Sequence, residues 1–517
     1  MAQQPTSTIQ SVPLAVNFGW RGVYSPSSAL KDAWAKNVFV EKEVEGPYSV
    51  KRPGTNFATS INGLSLSSYV IQGGFSLLGA PMVIAADKVI NPYTNIVQAS
   101  VPYPTGAAGQ WYKSFSASVN TSSSTYASPI LQSPAGVFTF NNGTGLYSLV
   151  TTSQGRYIGF CPGIVELDSS YYAMDTTGLI WSSLPNQPAN AWPALNFVTV
   201  DAVLTFPLAL ARHLNYIVAF GTGATQLWYD AGISPGSTLA AVQGGIFLQG
   251  MAFNGQFTLA EDNDVLFWMG TSEAGNLCVY ALSGLQITKI STPAVERFLE
   301  SVFPAISSLP SLASQITIRG FTVRGGGHSF YILSQLSPSD TTNLGNTLVF
   351  DITTQTWTVW TQQSYYTGNA TPGQAGSVLN EGAFRAWGAI NGSGLLPYLP
   401  DLNNGRGFLF SDIIYQDDSQ NINVLIQTDL ESWGSQRVKL IPATYLQTDT
   451  TPTSLMISWT DNDYQTFSTP QVVSGSNTKK QFIRCGSTIE RAWQVTHSDN
   501  SPMRFYSVEV EVQAGAL

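Results

Sequence analysis

Short apolar runs separated by small polar turns recur along the 517-residue chain. Residues 348–360, LVFDITTQTWTVW, show the pattern, with two runs rich in Val, Phe, Ile and Trp around the polar residues 353–356. β-Branched and aromatic residues fit a pleated surface, so these two runs predict a β-hairpin. Asp351 ends the first run, where a carboxylate commonly caps a turn, and we favour that role over catalysis.

The same strand-turn-strand pattern returns at intervals, without helical patterns between most of its copies. It is found at 169–184, 215–232, 264–291, 321–335 and 406–429. Repeated antiparallel meanders predict an all-β fold, a β-propeller-like array with inserted β regions, in which closure leaves few exposed sheet edges. The spacing of the copies is irregular, so loops of different lengths are expected between the strands.

Two segments, 27–39 and 292–306, are predicted to be short helices. The second has Thr292 as a helix N-cap and Pro293 at the first helical position. Residues 106–145 are biased towards Ser, Thr, Gly and Asn, which predicts either an excursion loop or an inserted layer of strands.

The chain is expected to divide into four parts. These are an N-terminal segment with an early strand and helix (1–60), a β-rich region with room for a tip or docking insertion (61–200), propeller blades (201–440) and a C-terminal β region that closes the propeller (441–517). Residues 37–44 and 505–512 both alternate as strands, and a closed β array needs its last part tied to an early segment. The two ends of the chain are therefore predicted to lie together.

Composition argues against a nucleic-acid-binding protein. Charged residues are 11% of the chain, against roughly 25% in ordinary soluble domains. The formal net charge is −9, and no long basic cluster is present. A surface with so little charge is poorly protected against association, which favours a subunit whose faces are covered in an assembly.

The cysteines, Cys161, Cys278 and Cys485, are far apart and form no CxxC pair, so we expect synthesis in a reducing compartment. The N-terminal residues lack a basic stretch followed by an apolar core, and no signal peptide is predicted. No apolar run has the length of a membrane span.

No catalytic, metal or cofactor site is predicted. His213, His328 and His497 have no further ligands at metal-binding spacing, and the RGGG before His328 precedes a strand, which favours a turn over a phosphate loop. The DND triplets at 262–264 and 461–463 lack the glycine and distal glutamate of an EF-hand.

Residues 458–471, SWTDNDYQTFSTPQ, resemble a degraded Asp-box turn, a structural hairpin of many propellers. Asn462 stands in place of its Asp and Tyr464 in place of its Gly, while Thr466 is kept. Three strand patterns follow this turn and end with RFYSVEVEV, whose alternating apolar residues predict a half-buried strand.

Three segments together resemble the tail nozzle, or tail hub, proteins of short-tailed bacteriophages, also called packaged-DNA stabilisation proteins. The first, 37–57, matches that family at Asn37, Phe39, Glu41, Pro53 and Gly54. The second, 216–299, has the order of a strand pair, a W/Y-x-x-G turn, a run ending ISTPAVE and a helix. The third is the Asp-box-like turn and the strands that follow it.

This resemblance implies a propeller-based virion protein, made in the host bacterial cytoplasm, that forms a homohexameric ring. The ring would continue the portal and adaptor channel, retain packaged DNA and pass it at infection. Its implied partners are the head-to-tail adaptor or portal proteins, tail needle, fibre or spike proteins, and double-stranded DNA passing without tight binding.

Two other functions stay open from the sequence: a carbohydrate-active propeller hydrolase, and a glycan- or protein-binding propeller on a tail. For a nozzle, a channel of acidic and neutral groups would let DNA slide without adhesive contacts. The candidate channel or rim acids lie in two predicted hairpin turns: Glu261, Asp262, Asp264, Asp417 and Asp418.

Overall fold

The fold is built almost wholly from β-strands. The structure is a computed structural model that describes residues 8–12, 34–43, 46–60, 71–77, 79–85, 88–100, 113–116, 129–133, 136–141, 146–155, 161–187, 190–200, 206–232, 236–253, 255–272, 275–302, 317–336, 347–366, 378–382, 384, 386, 388–391, 396–401, 406–449, 454–473, 479–483 and 485–514. Within these residues lie one α-helix, Pro293–Val302, and one 3-10 turn, Gly255–Thr258. The predicted all-β, propeller-like array of antiparallel meanders is confirmed.

Most strands belong to six sheets, numbered in the order in which they pack. Sheet 1 has eight strands: Ile71–Leu77, Ala80–Ala85, Lys88–Asn91, Ile96–Ser100, Lys113–Ser116, Pro129–Ser133, Gly136–Asn141 and Leu146–Leu149. Sheet 2 is a meander of Val165–Leu167, Ser170–Met174, Leu179–Ser182 and Phe197–Thr199. Sheet 3 is a meander of Pro207–His213, Tyr216–Gly221, Thr225–Asp230 and Leu239–Phe247.

Sheets 4 to 6 continue the series. Sheet 4 contains Gly250–Met251, Ala260–Asp262, Val265–Thr271, Leu277–Ser283 and Gln286–Lys289. Sheet 5 begins with Thr317–Gly325, His328–Leu336, Thr347–Asp351 and Thr356–Trp360. Sheet 6 consists of Tyr398–Pro400, Arg406–Ser411, Gly54–Ser60, Gln416–Asp417 and Gln420–Asn421. A separate hairpin pairs Gln362–Tyr366 with Val378–Gly382.

The six sheets form a closed ring in the described part of the chain, because each shares a buried apolar cluster with the next. Ile130 and Tyr171 share a cluster between sheets 1 and 2, Tyr172 and Leu210 between sheets 2 and 3, and Phe220 and Trp268 between sheets 3 and 4. Phe267 and Tyr331 do so between sheets 4 and 5, and Trp360 and Phe410 between sheets 5 and 6. The cluster of Tyr398 and Ile90, between sheets 6 and 1, closes the ring. A sheet in such a ring is covered on both faces. The apolar area removed from water between the sheets is the main source of stability.

The hairpin at 348–360 is confirmed, and its place in the ring explains its composition. Thr347 pairs with Trp360 and Asp351 with Thr356. Both strands are buried at every position, since sheet 4 covers one face and sheet 6 the other. Asp351 Oδ1 accepts hydrogen bonds from the N–H groups of Thr353 and Thr354, at 2.9 and 3.3 Å, so its predicted role as a turn cap is also confirmed.

A β-sandwich adjoins the ring. Sheet 5 extends past Thr356–Trp360 through Trp34–Lys36, Val424–Gln427, Ala492–His497, Leu455–Thr460 and Gln471–Val473. Facing this extension is sheet 7, formed by Thr8–Val12, Val38–Glu43, Gly46–Lys51, Lys439–Thr448, Lys479–Ile483, Ser487–Thr488 and Arg504–Ala514. The core between the two layers includes Ile441, Trp493, Phe505 and Val508, each 0% exposed.

The first and last described strands, Thr8–Val12 and Arg504–Ala514, both lie in this sandwich, as predicted. Ser49 pairs with Phe505, and Thr8 pairs with Val512. The residues after 441 were predicted to close the propeller, but they build the sandwich instead. The strand that completes sheet 6 is the N-terminal Gly54–Ser60.

The predicted helices have different outcomes. The helix at 292–306 is confirmed over Pro293–Val302, with the Thr292 hydroxyl accepting from the Val295 N–H at 3.4 Å, and 303–306 lie outside the described residues. The helix at 27–39 is wrong from 34 onwards, where Trp34–Lys36 and Val38–Glu43 are strands. Sandwich packing overrides local propensity there, because Ala35 and Val38 are buried in its core. Residues 27–33 lie outside the described part.

The described residues of the region 61–200 form part of the ring. Lys113–Ser116, Pro129–Ser133 and Gly136–Asn141 are strands of sheet 1, so the polar stretch 106–145 contributes strands rather than only a loop. The two edge strands of sheet 1 in its pairing order, Lys113–Ser116 and Ile71–Leu77, lie beside each other, which curls the sheet around its own apolar cluster. Sheets 1 and 2 thus occupy two positions of the ring.

The Asp-box-like stretch is a hairpin turn, as predicted. Asn462 Oδ1 accepts the Thr466 N–H at 3.0 Å and the Thr460 hydroxyl at 2.9 Å. Asn462 therefore performs the capping that an aspartate would perform, and Asp463 and Tyr464 adopt positive φ angles of 55° and 59°.

Deleting residues 503–517 should prevent folding, because Arg504–Ala514 pairs with Thr8–Val12, Gly46–Lys51 and Lys439–Thr448. Phe505, Val508 and Val510 on this strand are 0% exposed. Near-UV circular dichroism and thermal melting should show loss of the native signal and of a cooperative transition. A chain lacking only residues 515–517 is the control. A chain ending at 502 with unchanged dichroism and melting temperature would contradict this account of the sandwich.

Candidate functional site

The N-terminal segment enters the ring at a buried ion pair between Arg52 and Asp417. Both side chains are 0% exposed. One guanidinium nitrogen, Nη1, lies 3.1 Å from Asp417 Oδ1, and Nη2 donates to Oδ2. This two-point geometry suits a guanidinium and a carboxylate, and such pairs are among the stronger hydrogen-bonded contacts in proteins.

Every remaining donor of Arg52 is used inside the protein. Nε donates to Asn37 Oδ1 at 3.0 Å, Nη1 to the Pro53 carbonyl at 2.8 Å and Nη2 to the Thr361 carbonyl at 2.6 Å. Asp417 Oδ1 also accepts the N–H and hydroxyl of Thr55, at 3.2 and 2.9 Å. The desolvation of both charges is thereby offset by a complete set of partners.

Asn37 and Gly54 fit the backbone around this pair. Asn37 is 0% exposed and has a φ of 60°, a conformation that asparagine tolerates better than most residues. Its Nδ2 donates to the Thr361 hydroxyl and the Asn423 carbonyl, both at 2.8 Å. A Cβ on Gly54 would lie 2.2 Å from the Gln416 carbonyl oxygen, so only glycine allows this approach. We call Asn37, Arg52, Gly54, Thr361 and Asp417 the N-terminal lock.

Three of the predicted channel acids pair with arginines. Asp417 belongs to the lock and is enclosed by the chain, so it presents no charge to a surface. Asp262 Oδ1 accepts from Nε and Nη2 of Arg324, at 2.9 and 2.6 Å, which ties sheet 4 to sheet 5. Asp418 lies 2.7 Å from Arg406, and burial raises the pKa of its carboxyl while Arg406 opposes that shift.

The other two predicted acids, Glu261 and Asp264, are exposed. Together with Asp262 they share one hairpin turn, in which Asn263 and Asp264 have φ angles of 47° and 59°. The structure therefore brings Glu261, Asp262 and Asp264 together in this turn, and it places Asp417 and Asp418 in a separate turn of sheet 6. A channel or rim role for Glu261 and Asp264 stays a prediction.

A histidine–aspartate pair was missed by the sequence reasoning. His328 Nδ1 lies 2.7 Å from Asp351 Oδ2, and the imidazole packs 4.8 Å from the Phe39 ring. The turn before it has positive φ at Gly326 and Gly327, so the predicted turn there is confirmed. The pairing of adjacent strands places the two residues together, and their separation in sequence gives no ligand-like spacing that could have revealed the contact.

An open groove of about 630 Å³ adjoins His328 and is also lined by Lys42 and Thr354. Asp351 orients the imidazole, as a carboxylate does for a general base. Among the described residues, the imidazole contacts Asp351, Phe39 and Phe330. The imidazole is thus bonded to one carboxylate and packed against two aromatic rings.

A cavity of about 310 Å³ lies where sheets 4 and 5 meet the segment 388–391. Inside it the Arg319 guanidinium lies 4.4 Å from the centre of the Phe257 ring, and burial lowers the pKa of Arg319 to about 10. Glu261 also lines the cavity. With one cation, one carboxylate and two aromatic rings, the lining does not select a single class of ligand.

Two further features are absent from the described residues. Among them there is no group of three or more His, Cys, Asp or Glu side chains placed to hold a metal ion. No helix in the described ranges has the length and hydropathy needed to span a membrane.

Comparisons with known proteins leave the family unassigned. No family model and no curated protein matches the chain. Among solved structures, the N-terminal domain of Nup159 is 9% identical with a TM-score of 0.35, covering 73% of this chain and 98% of its own. The Neurospora crassa Pan2 WD40 domain is 10% identical with a TM-score of 0.31, covering 79% and 99%.

An exo-beta-1,3-galactanase from Phanerochaete chrysosporium is 10% identical with a TM-score of 0.24, covering 69% of this chain and 99% of its own. Identities and TM-scores this low carry no argument about function.

Replacing one member of the buried pair, by Arg52→Met or Asp417→Asn, should destabilise the protein by about 3–5 kcal/mol, because the other charge is left buried without its counter-ion. Urea unfolding followed by tryptophan fluorescence measures the change. The control is Arg212→Met, which breaks a pair with Glu166 at an arginine side chain 44% exposed and should cost less than about 1 kcal/mol. Equal losses in the lock and control variants would contradict a structural role for the lock.

Proposed function

We propose that this chain is a structural subunit of the tail nozzle ring of a short-tailed bacteriophage. In that role it continues the portal and adaptor channel, retains packaged DNA and lets the DNA pass at infection. The protein would be made in the bacterial cytoplasm and would reside in the virion, in contact with adaptor or portal proteins and with tail needle, fibre or spike proteins.

The proposal is supported by the positions, in the fold, of the residues that resemble the nozzle family. Asn37 and Gly54, two residues of the first family-like segment, belong to the N-terminal lock. The second segment, 216–299, supplies strands of sheets 3 and 4 and the helix Pro293–Val302. The third supplies much of the sandwich. Likeness concentrated in the framework favours a shared fold with a mechanical role over a shared catalytic centre.

The surface supports assembly. Phe206, Leu248 and Phe253 are 61%, 59% and 39% exposed. They adjoin one end of sheets 3 and 4, where the Thr222 N–H donates to the Phe206 carbonyl and Gly250 packs on the Thr222 backbone. Exposed apolar side chains near one end of two sheets, on a charge-poor surface, favour a face that a partner covers.

The charge arrangement supports passage of DNA without tight binding. Four arginines, Arg52, Arg324, Arg406 and Arg491, are engaged by aspartates of the same chain. Phosphate binding needs basic side chains whose counter-ions are released on contact with DNA. Arginines that already hold carboxylates contribute little to such binding, and the net charge of −9 opposes it.

The proposal predicts a closed ring of the purified protein. Native mass spectrometry and sedimentation should give a species of six times the 55.7 kDa chain mass without added ligand, and negative-stain images should show a ring with a central opening. Near-UV circular dichroism of the same sample verifies that the chain is folded. A folded protein that remains monomeric at micromolar concentration would contradict the proposal.

The ring should bind duplex DNA weakly. A titration of labelled duplex at physiological salt should give a dissociation constant well above micromolar with a shallow salt dependence, because 32 acidic residues outnumber the 23 basic ones that could replace counter-ions. Submicromolar affinity that weakens steeply with salt would instead indicate a DNA clamp.

A further inference from the structure

Lys51 and His497 meet inside the sandwich, at the ends of strands from its two layers. Each residue is 1% exposed. The Lys51 Nζ lies 3.5 Å from His497 Nδ1 and donates to the Asp499 carbonyl at 2.6 Å. The second imidazole nitrogen, Nε2, lies 3.4 Å from the Ser501 hydroxyl. The contact therefore joins the N-terminal segment to the loop 497–501.

The charged groups around Lys51 are Arg52, Asp417 and Asp499. Asp417 forms an ion pair with Arg52. Asp499 Oδ2 accepts hydrogen bonds from the N–H and the hydroxyl of Ser454, at 2.8 and 2.6 Å. Burial, and then the Arg52 charge, lower the pKa of Lys51 to about 7, against smaller opposing effects of Asp499 and Asp417. Hydrogen bonds from Ser454 first, and then the nearby His497 and Lys51, lower the pKa of Asp499, so this one carboxylate faces both basic groups.

Protonating both of two buried basic groups at this distance costs much free energy, because like charges that are shielded from water repel each other strongly. When the lysine is an ammonium, His497 Nδ1 accepts its hydrogen bond and the imidazole is neutral. We propose that Lys51 and His497 hold one proton between them in the folded protein, and that a second proton, taken up on acidification, loosens the N-terminal segment from the loop 497–501. The inference concerns the folded subunit and does not depend on the proposed ring.

The direction of the pH effect follows from proton counts. In an unfolded chain, lysine and histidine titrate near about 10.4 and 6.5, so below about pH 6.5 the unfolded chain binds both protons while the folded pair binds one. Stability therefore falls as the pH falls through this range, and the unfolding constant rises by up to about tenfold per pH unit. Above neutrality the lowered pKa of Lys51 has the same sign, because the unfolded lysine keeps a proton that the folded one has lost, so stability rises with pH.

The direct test is an NMR titration of the histidine side chains in the wild type and in Lys51→Met. The chain has only three histidines, so each can be assigned from a His→Gln variant. Removing the amine should raise the titration midpoint of His497 by at least about one pH unit, as expected for loss of a buried like charge. His213, which bonds the Gly284 carbonyl in sheet 4, is the internal control and should not move. A His497 midpoint that is the same in both proteins would overturn the proposal.

If Lys51→Met does not fold, a second variant tests the proposal. His497→Gln removes the group that competes for the second proton. Between pH 6 and pH 5 the unfolding constant of the wild type, measured with urea, should rise several-fold more than that of His497→Gln, since one proton accounts for at most about tenfold per unit. Parallel pH dependences of the two proteins would show that the pair does not couple and would reject the proposal.

Discussion

Arg52 and Asp417 meet where neither side chain has access to water, so each has to find all its partners within the protein. The partners come from distant parts of the chain: Asn37, Thr55 and Thr361. Because an unpaired charge at such a site is costly, the pair forms only when these segments are already in position. The lock therefore makes folding of the N-terminal segment and folding of the ring conditional on each other.

This constraint explains the architecture around it. Sheet 6 includes the N-terminal strand Gly54–Ser60 between Arg406–Ser411 and Gln416–Asp417, so the ring is complete only when that strand is in place. Just before the lock, Trp34–Lys36 pairs with Thr356–Trp360 on one side and Val424–Gln427 on the other. Sheet 5 thereby runs without interruption from the ring into the sandwich. Continuous strand pairing therefore joins the ring to the sandwich.

The parts of the fold that local patterns specify could be predicted from the sequence. The hairpin at 348–360, its Asp351 cap, the helix start at Pro293 and the Asn462 turn depend on neighbouring residues alone. The strand at 34–36 could not, because its conformation is set by pairing with Val424–Gln427 rather than by its own propensity. Local sequence also says nothing about partners such as Arg52 and Asp417, which are 365 residues apart.

The same limit applies to the candidate site. Acidic residues in the turns at 261–264 and 417–418 could be recognised, but which of them face solvent depends on arginines elsewhere in the chain. Asp262 joins sheet 4 to sheet 5 through Arg324, and Asp417 and Asp418 pair with Arg52 and Arg406, whereas Glu261 and Asp264 are exposed. The contact between Lys51 and His497 arises in the same way, from strand ends brought together by the sandwich.

Native-state hydrogen exchange tests most directly whether the N-terminal strand is an integral part of the ring. The account predicts that the amides of Gly54–Ser60 paired with Arg406–Ser411 exchange only through global unfolding, with the same denaturant dependence as the amides of Tyr216–Gly221 in sheet 3. Exchange of Gly54–Ser60 through a local opening well below the global free energy of unfolding, while sheet 3 stays protected, would contradict it.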